Sequence, residues 1–226
     1  DRLGNELFQD KLNNLWVGTL GYGIRKIILR RSQFNTGMEG ISVWRVWQSK
    51  RGEIWCNLFN KIIEFDPLTG KASQQSAFPD APPQQNDLIF DPDGSFWLLC
   101  GLREGNINFS EVRHYRSDKT LIKSYPISIG RYPYARLMRD RDGKIWISGA
   151  SGKLLKLDPA TGSQKVYDAS FLFKEDAQTI FIIALTEDNM GQLWLGTQYG
   201  LVKGLRKGDL LDFQLIEGAG INGRSP

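Results

Sequence analysis

Asp140-Arg-Asp-Gly-Lys-Ile-Trp-Ile-Ser-Gly149 is the stretch that decides the fold, because the 226-residue chain contains it in five close variants. The variants occupy residues 10–19, 49–58, 91–100, 140–149 and 188–197. Their tryptophans are separated by 39, 42, 49 and 48 residues and are Trp16, Trp55, Trp97, Trp146 and Trp194. Self-similarity with a period of this length is typical of a repeat protein.

Each position of the repeat has a physical reason. Six residues before the Trp stands Asp in four copies and Ser49 in the other, and such side chains accept hydrogen bonds from nearby backbone amides and start turns. Three residues before the Trp stand Gly52, Gly94, Gly143 and Gly191, with Asn13 in the first copy. Gly and Asn tolerate positive φ at least cost, so the pattern predicts a tight hairpin turn.

An apolar run surrounds each Trp and predicts a strand that is covered on both faces. The partner strand of each hairpin is predicted upstream, around Leu7, Val46, Leu88, Leu137 and Leu185. Further strands are predicted by residues 61–70 and 153–162, which are identical at five of ten positions and both end in an Asp-Pro-x-Thr-Gly turn. Four strands in about 40 to 50 residues is the period of a propeller blade. The predicted fold class is therefore all-β, a β-propeller of four-stranded antiparallel blades, with about five blades in a single domain, or a fragment of one, over residues 1–226.

Composition agrees with a folded, turn-rich domain. Apolar residues make up 41% of the chain, and 24 Gly and 9 Pro supply turns. The longest apolar runs are too short to span a membrane. The net charge of +4 comes from scattered basic residues. Because these form no stripe with interleaved aromatics, nucleic acid is not predicted as a partner.

The two cysteines, Cys56 and Cys100, follow their tryptophans by one and three residues. Both therefore point to the same side of equivalent strands in consecutive blades. Because adjacent blades meet by opposite faces, the thiols should not face each other. We expect free, buried cysteines, which leaves the redox compartment open.

Residue types that carry catalysis or bind metals are scarce. The Asp-x-Asp-Gly turns at residues 91–94 and 140–143 resemble the opening of a calcium loop, but Leu102 and Ser151 stand where its Glu ligand belongs. The sequence shows no nucleophile elbow, phosphate loop or Cys/His cluster. No catalytic residue, metal site or cofactor is predicted.

A ligand site is predicted on the face that carries the loops after the Trp strands and the blade crossings. The opposite face holds only the Asp-Gly and Asp-Pro turns. Aromatic rings with arginines suit acidic or neutral sugars, through stacking and bidentate hydrogen bonds, although loop aromatics also serve to pack loops. The candidate ligand-binding residues are Tyr22, Arg103, Arg131, Tyr132, Tyr134 and Tyr199.

Two stretches resemble a known family. Leu15-Trp-Val-Gly-Thr19 with Tyr22-Gly-Ile24, and residues 193–201 (LWLGTQYGL), are similar to the two-component regulator propeller repeat, Asp-x-x-Gly-x-Leu-Trp-Ile-Gly-Thr-x-x-Gly-Leu. Ser148, Asn57 and Leu99 depart from the Gly two residues after the Trp. The resemblance implies the periplasmic sensor of a membrane-bound hybrid two-component histidine kinase, often one that senses glycans. An oligosaccharide ligand, downstream kinase domains and a homodimer would then be the partners.

A second resemblance implies an enzyme. Tyr132-Pro-Tyr-Ala135, the stretch 140–146 and Leu157-Asp-Pro-Ala-Thr-Gly162 are also similar to streptogramin lyase propellers, which use a catalytic His and a bound Mg²⁺. The single histidine, His114, lies in a predicted outer strand without an identifiable second base. A partly exposed strand histidine is the better interpretation, so we expect a sensing or scaffold module and no enzyme in this segment.

Repeat arithmetic allows two arrangements of the ends. The 15 residues before Trp16 and the 32 after Trp194 together equal one repeat, which fits a closed five-bladed ring. The tail Gly220-Ile-Asn-Gly223 is instead similar to the linker into a next repeat, and the family usually has seven blades. We expect part of a larger ring, with the remaining blades as further partners.

Overall fold

The computed structural model describes residues 4–11, 14–19, 21, 23–28, 33–38, 40–59, 61–104, 107–127, 129, 135–149, 151–173 and 180–216. Within these ranges the chain forms twenty strands and one short 3₁₀ helix, Ser170–Leu172. None of the helical structure in the same ranges is long and apolar enough to cross a membrane.

The strands form five four-stranded sheets, each built from strands that are consecutive in the chain. The first sheet contains β1 (Gly4–Gln9), β2 (Asn14–Thr19), β3 (Gly23–Ile28) and β4 (Gln33–Gly37). The second contains β5 (Arg45–Gln48), β6 (Ile54–Asn57), β7 (Ile62–Asp66) and β8 (Lys71–Ala72). The third contains β9 (Gln84–Phe90), β10 (Phe96–Glu104), β11 (Ile107–Tyr115) and β12 (Leu121–Pro126). The fourth contains β13 (Leu137–Arg139), β14 (Ile145–Ser148), β15 (Lys153–Leu157) and β16 (Gln164–Asp168). The fifth contains β17 (Ile182–Glu187), β18 (Leu193–Thr197), β19 (Gly200–Lys207) and β20 (Leu210–Leu215).

The repeat occupies the same place in every sheet. Each motif tryptophan lies in the second strand, and the apolar residue predicted upstream lies in the first. In the fourth sheet, for example, Arg139 pairs with Ile145 and Ile145 pairs with Leu157, both antiparallel. The all-β prediction and the assignment of a hairpin to each repeat are confirmed.

The hairpin turns have the backbone that the glycines predict. The φ angles are 92° at Gly52, 91° at Gly94, 75° at Gly143 and 80° at Gly191. In the fourth copy the Gly143 amide donates to the Asp140 carbonyl at 3.0 Å. Asn13, which holds this position in the first copy, lies outside the described residues.

The chain divides into two compact units. One comprises Asp1–Asn86, Phe90–Leu102 and Arg113–Lys123, and the other comprises Asp87–Ile89, Arg103–Val112 and Ser124–Pro226. The first unit has a core in which Trp16 packs against residues of the second sheet, including Val46, Cys56 and Phe65. The second unit has a core in which Trp146 packs against residues of the fifth sheet, including Ile182, Leu195 and Val202.

The cysteines behave as the strand positions predict. Cys56 and Cys100 are both buried, and neither forms a disulfide within the described residues. Burial raises the pKa of the Cys56 thiol to about 12, so this side chain is an inert apolar group at neutral pH.

Candidate functional site

Six residues were predicted to form the ligand face. Tyr199 is the one among them whose side chain the structure describes. Arg103 lies near the end of β10, where the structure describes the backbone. Tyr22, Arg131, Tyr132 and Tyr134 lie outside the described residues. The grouping of these six residues into one site therefore stays a prediction.

Tyr199 lies in the tight turn between β18 and β19. Its amide donates to the Thr197 hydroxyl at 3.1 Å, and that hydroxyl donates to the Gly200 carbonyl at 2.8 Å. The Tyr199 ring lies 5.9 Å from the ring of Phe173, and the residue remains 36% exposed. The threonine of the repeat thus fixes the turn and holds an aromatic ring in contact with solvent.

The same clamp forms after the first Trp strand. There the Thr19 hydroxyl donates to the Gly23 carbonyl at 2.8 Å. The threonine of the repeat therefore has a structural role, because its hydroxyl bonds a glycine carbonyl across the turn, four residues later in the first sheet and three residues later in the fifth.

The Asp of the repeat has a second role that the sequence reasoning missed. Its Oδ2 accepts a hydrogen bond from the indole Nε1 of the Trp six residues later. This bond is 2.9 Å long at Asp10, 2.9 Å at Asp91, 2.7 Å at Asp140 and 2.8 Å at Asp188. In the second copy Ser49 cannot reach, and the buried Trp55 indole nitrogen has no hydrogen-bond partner within the described residues. The fixed spacing between Asp and Trp was the available signal.

A basic side chain covers the indole in every copy. Lysine Nζ atoms lie 5.1 Å from the Trp16 ring, 5.6 Å from the Trp146 ring and 5.3 Å from the Trp194 ring. In each of these three cases the lysine is the direct cross-strand partner of the Trp, namely Lys26, Lys156 or Lys203. In the second copy Lys119 comes from another sheet of the same unit, with its Nζ 5.3 Å from the Trp55 ring. Such contacts stabilise by cation–π attraction.

His114 holds this covering position in the third copy. Its ring stacks on Trp97 with 4.0 Å between centroids and an interplanar angle of 4°. Its Nε2 lies 3.8 Å from Asp91 Oδ2, the oxygen that accepts the Trp97 indole. His114 is therefore an integral part of the repeat, in the role that lysine has elsewhere.

The position two residues after the Trp faces the start of the next sheet. A Cβ on Gly18 would lie 3.0 Å from the Val43 carbonyl oxygen. The Asn57 side chain donates to the Gln85 carbonyl at 2.9 Å, and the Ser148 hydroxyl donates to the Ile182 carbonyl at 3.0 Å. The departures from Gly in the second and fourth copies are thus compensated, since each polar side chain binds a carbonyl of the following sheet.

Comparisons with known proteins bear on the fold. No family model matches this chain, and no curated protein does. Solved propeller structures match. The extracellular domain of the putative hybrid two-component system BT4673 from B. thetaiotaomicron matches with a TM-score of 0.67 and 15% identity, over 95% of this chain and 31% of that one.

Two other structures are similar. The extracellular domain of the putative hybrid two-component system BT3049 from B. thetaiotaomicron has a TM-score of 0.60 and 20% identity, over 87% of this chain and 26% of that one. Virginiamycin B lyase from Staphylococcus aureus has a TM-score of 0.63 and 14% identity, over 96% of this chain and 74% of that one. The chain thus spans about a third or less of the length of the two-component domains. These likenesses show the fold, a β-propeller of four-stranded antiparallel blades.

Proposed function

We propose that this chain is a ligand-sensing part of the periplasmic region of a membrane-bound hybrid two-component signalling protein. The observation that carries the proposal is the shared blade architecture with extracellular domains of two such systems. The repeat supports it, since the Leu-Trp-Leu-Gly-Thr stretch at 193–197, which resembles the repeat of two-component propellers, forms a strand followed by the hydrogen-bonded turn at Tyr199.

The proposed ligand is an oligosaccharide bound at the loops that follow the Trp strands. A ring held at a fixed turn and still exposed is suited to stacking on a sugar, because little conformational freedom is lost on binding. Tyr199 meets this description, with Phe173 beside it. The other residues proposed for this face are Tyr22, Arg103, Arg131, Tyr132 and Tyr134.

A propeller lyase is the alternative, and the surroundings of His114 favour the sensor. A catalytic base must have a free ring nitrogen facing a substrate, within hydrogen-bond reach of the proton it takes. One face of the His114 ring lies flat against Trp97, and its Nε2 lies 3.8 Å from Oδ2 of the buried Asp91 carboxylate. In the neighbouring repeats a lysine covers the indole instead, which indicates a packing role for the histidine.

The experiment is a thermal-shift screen of the 226-residue chain against neutral oligosaccharides, followed by calorimetry on the best binder. Tyr199→Ala should weaken binding by about fivefold to tenfold, the value of one lost aromatic contact. Leu68→Ala is the control, because Leu68 is 93% exposed and lies in an Asp-Pro turn, which the proposal leaves out of the ligand site. Binding that survives Tyr199→Ala unchanged and maps to the turns at Asp66 and Asp158 would contradict the assignment.

The signalling part of the proposal has its own check. The gene that encodes this chain should also encode a membrane span and a histidine kinase region. A coding sequence without them would leave a propeller with no means of passing a signal across a membrane.

A further inference from the structure

A groove of about 390 Å³ lies at the Asp-Pro end of the fourth sheet, beside the turn that joins β19 and β20. Three lysines line it, Lys144, Lys156 and Lys165, together with two carboxylates, Asp158 and Asp209. The remaining walls include the side chains of Gln164 and Tyr167. A concave site of this size, with convergent polar groups, is in the range of small-ligand sites.

The register of the fourth sheet places two lysines directly opposite each other. Lys156 pairs with Trp146 on one side and with Lys165 on the other. Like charges in direct cross-strand pairs are destabilising, so this arrangement breaks a local rule of sheet construction. Positions that break such a rule are expected where a function requires them.

The equivalent pairs in other sheets carry no second lysine. Lys26 covers Trp16 and pairs with Asn35, and Lys203 covers Trp194 and pairs with Gln214. The lysine pair is therefore a feature that the fourth sheet adds to the repeat.

The charges of the groove are incompletely balanced. Lys144 Nζ lies 2.7 Å from Asp158 Oδ2 and is neutralised by it. Lys165 Nζ donates to the backbone carbonyl of Asp209 at 2.6 Å, which leaves its positive charge in place. Lys156 Nζ lies over the Trp146 ring, and no carboxylate pairs with it in the part of the chain that the structure describes. Three ammonium groups thus face two carboxylates across an open groove.

Neighbouring contacts hold the wall in position. The Tyr167 hydroxyl donates to the Asp209 carbonyl at 3.1 Å, the same oxygen that Lys165 binds. The side-chain amide of Gln164 donates to the Pro126 carbonyl at 2.6 Å. Because these contacts already order the wall, its side chains lose little conformational freedom when a ligand binds.

We propose that this groove is an oxyanion-binding site, in which Lys156 and Lys165 bind a sulfate, phosphate or carboxylate group. An oxyanion between the two ammonium groups relieves their repulsion and gains two charge-assisted hydrogen bonds. The Tyr167 hydroxyl and the Gln164 amide lie alongside for the rest of a polar ligand. The site goes beyond the proposed function, because it includes none of the loop residues assigned to saccharide binding.

The test is a titration of the intact protein at low ionic strength, followed by amide NMR shifts and calorimetry. The probes are inorganic sulfate, inorganic phosphate, glucuronate and glucose 6-sulfate. Each should shift the amides of β15 and β16, with an affinity that falls as NaCl is added. Lys156→Gln and Lys165→Gln should each weaken binding by about fivefold, as expected for one exposed charge pair.

Lys203→Gln is the matched control. It removes the same contact between a lysine and an indole in the fifth sheet, so its effect on the melting temperature should equal that of Lys156→Gln, while its effect on anion affinity should be absent. The proposal is overturned if no probe shifts β15 and β16, or if Lys203→Gln weakens binding as much as Lys156→Gln does.

The probes also separate two sources of the oxyanion. Tighter binding of glucuronate or glucose 6-sulfate than of the inorganic anions would indicate an acidic saccharide, and equal binding would indicate a free anion. Both outcomes support an oxyanion site. Neutral oligosaccharide binding should be unchanged in Lys156→Gln, so failure at the groove and failure at the loop face can be told apart.

Discussion

The aspartate of the repeat has two structural roles, one in the turn and one at the tryptophan. At Asp140, Oδ1 accepts the amides of Asp142 and Lys144 at 3.0 and 2.8 Å, while Oδ2 accepts the Trp146 indole at 2.7 Å. One carboxylate therefore shapes the turn and orients the tryptophan that the turn precedes. A buried donor that loses its acceptor lowers the free energy of unfolding by about 1–3 kcal/mol. Removing this one carboxylate should therefore have a large effect on stability.

Asp140→Ala should therefore destabilise the protein by about 3 kcal/mol or more, because it removes the acceptor of the indole, of two amides and of Arg206 Nη2, which lies 3.0 Å from Oδ2. Asp142→Ala is the control, since the Asp142 side chain is 64% exposed and its contact with Arg206 at 3.3 Å is a surface ion pair. We expect that control to stay within about 0.5 kcal/mol of the wild type. Urea unfolding measures both, and equal midpoints for the two variants would refute the role of Asp140.

The motif tryptophans differ in burial, and this sets the cost of removing them. Trp146 is 1% exposed and packs against the fifth sheet, so Trp146→Ala should cost about 3–5 kcal/mol. Trp194 is half-buried, and Trp194→Ala should cost less. Thermal unfolding of both variants is the measurement, and a Trp146→Ala protein that melts like the wild type would show that its packing contributes little.

The turn that precedes each Trp strand depends on a residue that tolerates positive φ. Gly143 has φ 75°, and a Cβ there would lie 3.3 Å from Arg139 Nη2. Gly143→Val should cost about 1–3 kcal/mol, because a β-branched residue is strained in this region whatever space is available. Gly143→Asn is the informative control, since the first copy carries Asn at this position. A valine variant as stable as the asparagine variant would contradict the strained-turn account.

Local patterns were sufficient to predict the elements but not their cross-sheet contacts. The Asp, Gly and Trp spacing predicted the hairpins, because turn chemistry and strand propensity act within about ten residues. It did not predict that Ser148 would bind the Ile182 carbonyl, 34 residues away. That contact depends on how one sheet packs against the next. The sequence around a residue two positions after a Trp does not indicate which group of the next sheet it will contact.

For the candidate sites too, the sequence predicts local elements but not the contacts between distant residues. Strand order follows from the repeat, whereas a ligand face is assembled from loops of different blades whose conformations the repeat does not encode. Tyr199 could be placed because the Thr of the repeat clamps its turn. The lysine groove was missed for another reason, since pairing of Lys156 with Lys165 appears only when the register of β15 and β16 is known.

We expect the aspartates of the repeated turns to determine together how far the pH can fall before the protein unfolds. Hydrogen bonds at these turns lower the pKa of their aspartates below the ordinary value: the Thr69 hydroxyl and the Leu68 amide at Asp66, the Lys144 side chain and the Ala160 amide at Asp158, and the Trp194 indole and the Gln192 amide at Asp188. A carboxylate whose pKa is lower in the folded state stabilises that state above its unfolded pKa of about 3.9, and this contribution is lost as the pH falls through the folded pKa.

We therefore expect a melting temperature that is nearly constant from about pH 7 to pH 5 and falls steeply below about pH 4, as several turns take up protons together. Asp188→Asn separates this effect from general acid sensitivity, because an amide cannot titrate. The variant should lie below the wild type at pH 7 and approach it at pH 3, which is below the unfolded pKa of about 3.9, so part of the contribution of Asp188 is lost there. Melting curves of the two proteins displaced by the same amount at both pH values would show that ionisation of this turn does not contribute to the loss of stability in acid.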